Sequence, residues 1–260
     1  MSKSYLGVFD SGFGGLTVIK SLRQKLKKKN IIYFGDTANV PYGPKSKEEI
    51  EQLVIKDIAL LKSLGVDTVA FACNTADSVA SKAVIKEYPD MTFYGIIKPT
   101  CQQAVIQSTN KRIGVIATEA AIRSNAYVEG IKEIDSSIEI FPKACPLLVP
   151  LVEQGKVNKN DQETVEALKE YLSYFADKDI DTLILGCTHY PLLTELIIDI
   201  MPGIKLISSS ACAGEKAAAI IQDEGEAETL YYVSGDPANF TTLAKIFLQS
   251  KEDIIAKQLY

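Results

Sequence analysis

Short runs of apolar and β-branched residues alternate along this chain with longer segments whose apolar positions recur at helical spacing. Residues 5–10, 30–36, 68–72, 92–97, 112–117, 138–141, 182–185 and 204–208 predict strands. Residues 16–28, 47–63, 76–87 and 162–177 predict amphipathic helices between them. The strand segments are apolar almost throughout, where a half-solvated strand would alternate. They therefore predict a parallel sheet covered by helices on both faces, an α/β doubly wound architecture. Ligands of such sheets bind beyond the carboxyl ends of the strands. After the polar break at residues 224–228, residues 229–233 predict a further strand and a last helix, expected to pack back on the first half.

The pattern repeats within the chain. Residues 67–75, with Cys73, Asn74 and Thr75 at a strand end, can be laid over residues 181–189, which end in Cys187, Thr188 and His189. Residues 6–11, ending in Asp10 and Ser11, resemble residues 113–118, ending in Ala117 and Thr118. Two matches in the same order at nearly equal spacing predict a duplicated α/β unit.

Composition narrows the classes of function. The chain has 260 residues, 47% hydrophobic and 23% charged, enough for one large domain or two small ones. No run reaches the roughly 18 apolar residues of a membrane helix, and the start passes straight into strand-like sequence without the pattern of a signal peptide. A net charge of −5 opposes nucleic-acid binding. The basic run Lys25 to Lys29 predicts a solvated helix end. Five cysteines, 73, 101, 145, 187 and 212, form neither close pairs nor a CxxC motif. That pattern opposes a disulfide framework and a clustered metal site, and suits free thiols in a reducing cytoplasm. His189 is the single histidine, so no mechanism can use two.

The Gly-rich stretch from Phe9 to Gly15 follows a strand and opens a helix, which invites a dinucleotide-binding reading. Thr17 stands where that pattern wants Gly or Ala, and Asp10 would meet a pyrophosphate with negative charge. A tight turn facing a carboxylate- or amine-bearing ligand is the better reading, with Asp10 holding an ammonium group, assisting a proton transfer, or capping the next helix. Cys73 and Cys187 each end a strand before an expected helix N-terminus, where the dipole should ease loss of the thiol proton. An isolated buried cysteine is usually a small hydrophobe, and Cys101, Cys145 and Cys212 are read so. A repeated pair suggests more. Inverting an α-carbon without a cofactor needs a base on one face and a chemically similar acid on the other, exchanging roles in the reverse direction.

Asp10-Ser11, Gly35-Asp36-Thr37 with Pro41-Tyr42-Gly43, Ala72-Cys73-Asn74-Thr75 and the block from Gly186 to Pro191 together resemble the glutamate racemases of the aspartate/glutamate racemase superfamily. Ser124, Tyr127 and the block from Pro146 to Glu153 add smaller likenesses, and the resemblance runs from residue 6 to about 237. It implies two pseudo-twofold-related α/β lobes, residues 1–97 with 208–260 and residues 98–207, with the active site in the cleft between them. It also implies a cofactor-independent, metal-free reaction interconverting L- and D-glutamate. Cys73 would act on the D-enantiomer and Cys187 on the L-enantiomer, assisted by Asp10, His189 and Glu153. Asp10, Ser11, Tyr42, Gly43, Asn74, Thr75, Thr118, Thr188 and His189 would hold substrate. The product would feed peptidoglycan synthesis in the cytoplasm, and a homodimer is an arrangement the resemblance allows. Two departures stand out: Asn39 where many relatives carry Arg, and a less Thr-rich segment at residues 117–120. Racemisation of another small acidic substrate such as aspartate, a cysteine hydrolase built on Cys187 and His189, and a non-catalytic amino-acid-binding protein are the alternatives.

Overall fold

The computed structural model of the chain describes residues 4–248 and 254–259. Residues 1–3, and 249–253 and 260 of the expected C-terminal segment, lie outside the described residues.

Among the described residues, ten strands form two wholly parallel sheets. β1 (Tyr5–Asp10), β2 (Asn30–Gly35), β3 (Thr68–Phe71) and β4 (Thr92–Tyr94) lie in the spatial order β2-β1-β3-β4. β5 (Arg112–Ala117), β6 (Glu139–Ala144), β7 (Thr182–Gly186) and β8 (Lys205–Ser208) repeat it as β6-β5-β7-β8. The likeness extends to register: Leu6 pairs with Thr68 and Gly7 with Val69, while Ile113 pairs with Thr182 and Gly114 with Leu183. The duplication read from sequence is thus a duplication of strand order and register. β9 (Thr229–Val233) adds to the first sheet beside β2, and β10 (Ala256–Gln258) beside β9.

β1, β2 and β7 are buried at nearly every position because helices cover both faces, the burial a parallel sheet requires. The covering helices are α1 (Leu16–Lys25), α2 (Lys47–Ser63), α3 (Asn74–Glu87), α4 (Ile97–Gln107), α5 (Glu119–Arg123), α6 (Ala126–Ile134), α7 (Leu148–Glu153), α8 (Gln162–Ser173), α9 (Thr194–Ile200), α10 (Ser209–Ile220) and α11 (Pro237–Leu248). Among the described residues no helix is long and apolar enough to cross a membrane.

Several boundaries differ from expectation, some because a side chain distant in sequence intervenes. The strand expected over 92–97 stops at Tyr94, because Asp77 Oδ2 accepts the Ile96 and Ile97 N–H groups at 2.7 and 2.8 Å and so starts α4. The helix expected over 16–28 ends at Lys25. Beyond it the Asp223 carboxylate accepts the backbone N–H groups of Lys27, Lys28 and Lys29, so the basic run is a wrapped loop rather than a solvated helix end. The helix expected from Ala76 begins at Asn74, with Cys73 Sγ as N-cap, accepting from Ala76 N–H at 3.4 Å. The one expected over 162–177 ends at Ser173.

Candidate active site

The equivalence of the two sheets places Cys73 just past β3 and Cys187 just past β7, at matching carboxyl ends. Both thiols line one cavity of about 180 Å³, and the other ten residues expected at the site line it with them: Asp10, Ser11, Tyr42, Gly43, Asn74, Thr75, Thr118, Glu153, Thr188 and His189. Val40, Pro41, Pro44, Glu119, Pro146, Val149 and Pro150 close the walls. Among the described residues, no Lys or Arg lines it. A larger cleft of about 620 Å³, bounded by α3 and α6, contains neither Cys nor His. The smaller cavity is the candidate because its polar groups converge.

The two half-sites differ around a common plan. Cys73 Sγ lies 3.2 Å from Ser11 Oγ and caps α3. The dipole expectation fails here. Burial, reinforced by the nearby Asp10 charge, pushes the thiol up to about 12, against hydrogen bonds from Ser11 and Ala76 that favour the thiolate. In this state Cys73 carries its proton. Cys187 instead meets a relay: its Sγ is 3.6 Å from His189 Nδ1, and His189 Nε2 is 3.0 Å from Glu153 Oε1. Burial disfavours the imidazolium, but the Cys187 and Glu153 charges and hydrogen bonds outweigh it and raise His189 to about 10. The ring also packs edge-on against Phe247 of α11, 5.1 Å between centroids.

Gly14 makes this packing possible. A Cβ there would fall 2.3 Å from Thr188 Oγ1 and 2.5 Å from His189 Nδ1. Thr17, the residue that spoiled the dinucleotide pattern, lies 3.0 Å from the Thr188 carbonyl and 2.6 Å from Ser210 Oγ, tying α1 to the turn after Cys187.

Several polar groups of the site have protein partners of their own. The turn after β1 directs its N–H groups inward: Gly12 N–H donates to Asp10 Oδ2 at 2.9 Å, and Gly15 N–H also reaches that carboxylate. Burial raises the Asp10 carboxyl above its ordinary range, while the His189 charge and those N–H groups pull it back. The Tyr42 hydroxyl points away from the cavity, donating to Asp36 Oδ2 at 2.6 Å, so that residue offers the site its ring and backbone. The Asn74 amide is engaged at both ends, donating to Ser209 Oγ at 3.1 Å and accepting from the Tyr127 hydroxyl. Thr75 at the start of α3 and Thr118 just past β5 share a 2.8 Å hydroxyl contact. Asn39 closes on Asp36 Oδ1 at 2.8 Å and is not among the lining residues. Among the wall residues, Val40 and Pro44 carried no signal in the sequence, Pro41 and the block at 146–153 showed only as parts of the likeness, Glu119 only within the departure at 117–120, and Tyr127 only as a smaller likeness.

Comparison with known proteins follows the same lines. The Asp/Glu/Hydantoin racemase family model matches residues 7–217. The glutamate racemase of Aquifex aeolicus is 41% identical over 243 residues, covering 94% of this chain and 93% of that one. The Francisella tularensis glutamate racemase, solved in complex with D-glutamate, superposes with a TM-score of 0.91 at 34% identity, covering 100% of this chain and 98% of that one. The Escherichia coli glutamate racemase, solved in complex with L-glutamate and the activator UDP-MurNAc-ala, gives 0.80 at 26% identity, covering 99% and 98%. With paired thiols at equivalent strand ends and near-complete coverage by these relatives, the chain belongs to the Asp/Glu/hydantoin racemase family.

Proposed function

We propose that the chain is a cofactor-independent glutamate racemase in which Cys73 and Cys187 exchange a proton with the α-carbon from opposite faces. The observation that carries this reading is the pair of thiols at duplicated strand ends, both lining one small cavity. The substrate comes from the relatives, which include glutamate racemases solved with D- or L-glutamate bound.

For L-glutamate, a Cys187 thiolate takes the α-proton, leaving a carbanion whose charge spreads into the α-carboxylate. The Cys73 thiol then delivers its proton to the other face. The cycle ends with Cys187 as thiol and Cys73 as thiolate, the state that begins the reverse reaction. His189, protonated and held by Glu153, supplies the positive charge a thiolate at Cys187 needs opposite it. Asp10 keeps Cys73 protonated until it is needed, and Ser11 with the Ala76 N–H receives the charge left on its sulfur. With no Lys or Arg in the lining, the substrate carboxylates rest on hydroxyl and backbone N–H donors at the strand–helix turns, including Thr75, Thr118 and Thr188. The lobes are 1–97 with 208–260 and 98–207, and the product D-glutamate enters peptidoglycan synthesis in the cytoplasm.

The test is incubation of the protein with L- and D-glutamate and L- and D-aspartate in D₂O without added cofactor, following optical rotation and α-deuterium. Inversion of glutamate with deuterium in the product is expected. Absence of glutamate inversion, or inversion without α-deuterium, overturns the proposal.

A further inference from the structure

Tyr127 touches both cysteine turns. It sits in the first turn of α6, fully buried, outside the cavity lining. Its hydroxyl donates to Asn74 Oδ1 at 2.5 Å, one residue beyond Cys73. Its ring lies against Gly186, one residue before Cys187, so closely that a Cβ on that glycine would fall 2.9 Å from Tyr127 Cε2. A single rigid ring therefore spans from the end of β7 to the start of α3. Neither end has slack. The Asn74 amide is held on its other side by Ser209 of α10. The backbone of Tyr127 is held by Cys101 of α4, whose Sγ approaches the Tyr127 carbonyl at 3.8 Å.

Resting on the two-thiol reading above, we propose that Tyr127 is a positioning residue that sets the separation and facing of Cys73 and Cys187. Every link in the chain Gly186–Tyr127–Asn74 is a packed ring contact or a buried hydrogen bond, and both ends are covalently next to a thiol-bearing residue. Burial and surrounding negative charge hold the phenol well above its ordinary range, so it stays a donor through the working pH. In-line transfer across a carbanion depends steeply on such a spacing: a displacement of about 1 Å can cost about 100-fold in rate. A carbanion whose second acid is out of place lives longer. The first thiol then has time to exchange with solvent and return a proton to the face it came from. Loosening Tyr127 should therefore change the partition of the carbanion as well as its rate of formation.

Tyr127→Phe removes the hydroxyl and keeps the ring on Gly186. In D₂O with L-glutamate, the ratio of deuterium in recovered L-glutamate to deuterium in D-glutamate is measured at low conversion. The expected result is a rise of about threefold or more in that ratio, with kcat down about 10-fold. Tyr88→Phe, which deletes a hydroxyl donating to the Ile55 carbonyl outside the cavity, should leave the ratio at the wild-type value. An unchanged ratio in Tyr127→Phe overturns the proposal whatever happens to kcat, because a loss of folded protein lowers both products alike. Should that variant not fold, Ser209→Ala frees the same Asn74 amide from its other side and must raise the ratio. Failure of wild-type protein to place α-deuterium in the inverted product would strike the two-thiol reading itself, separately from Tyr127.

Discussion

Replacing Glu153 by Gln keeps the shape of the side chain and removes the charge that holds His189 Nε2 at 3.0 Å. Solvent screens this pair little, since the two side chains are only 8% and 24% exposed. A hydrogen bond to a charged group in such a setting is worth about 1.5–3 kcal/mol. At about 1.4 kcal/mol per factor of ten, kcat/KM should fall about 10- to 150-fold. The loss has a signature in pH. His189 is raised to about 10 partly by Glu153, so deleting the charge lowers the pH at which the imidazolium loses its proton. The alkaline limb of log kcat/KM for L-glutamate should move to lower pH, read from initial rates by circular dichroism across the neutral and alkaline range. Full activity with an unmoved alkaline limb would refute the relay and leave Glu153 as part of the wall.

Gly14→Ala should lower kcat about 100-fold with the fold intact by circular dichroism, because the new methyl must displace Thr188 and His189. Asp181 gathers N–H and O–H donors from Ser108, Thr109 and Asn110 just before β7, and despite partial burial they hold its carboxyl below the usual range. A depressed carboxylate stabilises above its unfolded pKa of about 3.9 and loses that contribution as pH falls toward the folded value. Asp181→Asn should therefore cost about 2 kcal/mol near neutrality, lowering Tm by about 4–8 °C, with the two proteins converging in strong acid. A constant Tm difference across that range would contradict the assignment.

The strands and their parallel arrangement were largely legible because buried parallel strands announce themselves as unbroken apolar runs, and the repeat of Asp67–Thr75 in Asp181–His189 marked the second half as a copy of the first; their spatial order came only from the structure. Element ends were less legible, since residues distant in sequence decide them. Asp77 ends one strand prediction at Tyr94 by capping α4, and Asp223 ends α1 early. The site residues were legible where chemistry and repetition coincided, as at the cysteines and His189. Side-chain direction was not. Nothing local to Tyr42 shows that its hydroxyl turns to Asp36, nor local to Asn74 that Tyr127 and Ser209 occupy its amide. The helix-dipole argument for an acidic Cys73 failed because burial and the Asp10 charge outweigh a cap of one N–H group. That outcome makes the half-sites unequal before substrate arrives.

The two-thiol exchange is tested most directly by the inversion rate of L-glutamate, followed by circular dichroism, in Cys73→Ser and in Cys187→Ser. A serine hydroxyl is far too weak an acid to cycle with a carbanion near neutral pH, so each variant should lose inversion by about 1,000-fold or more while keeping the wild-type fold. Inversion within about tenfold of wild type in either variant would show that its sulfur does not carry the proton, and would contradict the mechanism.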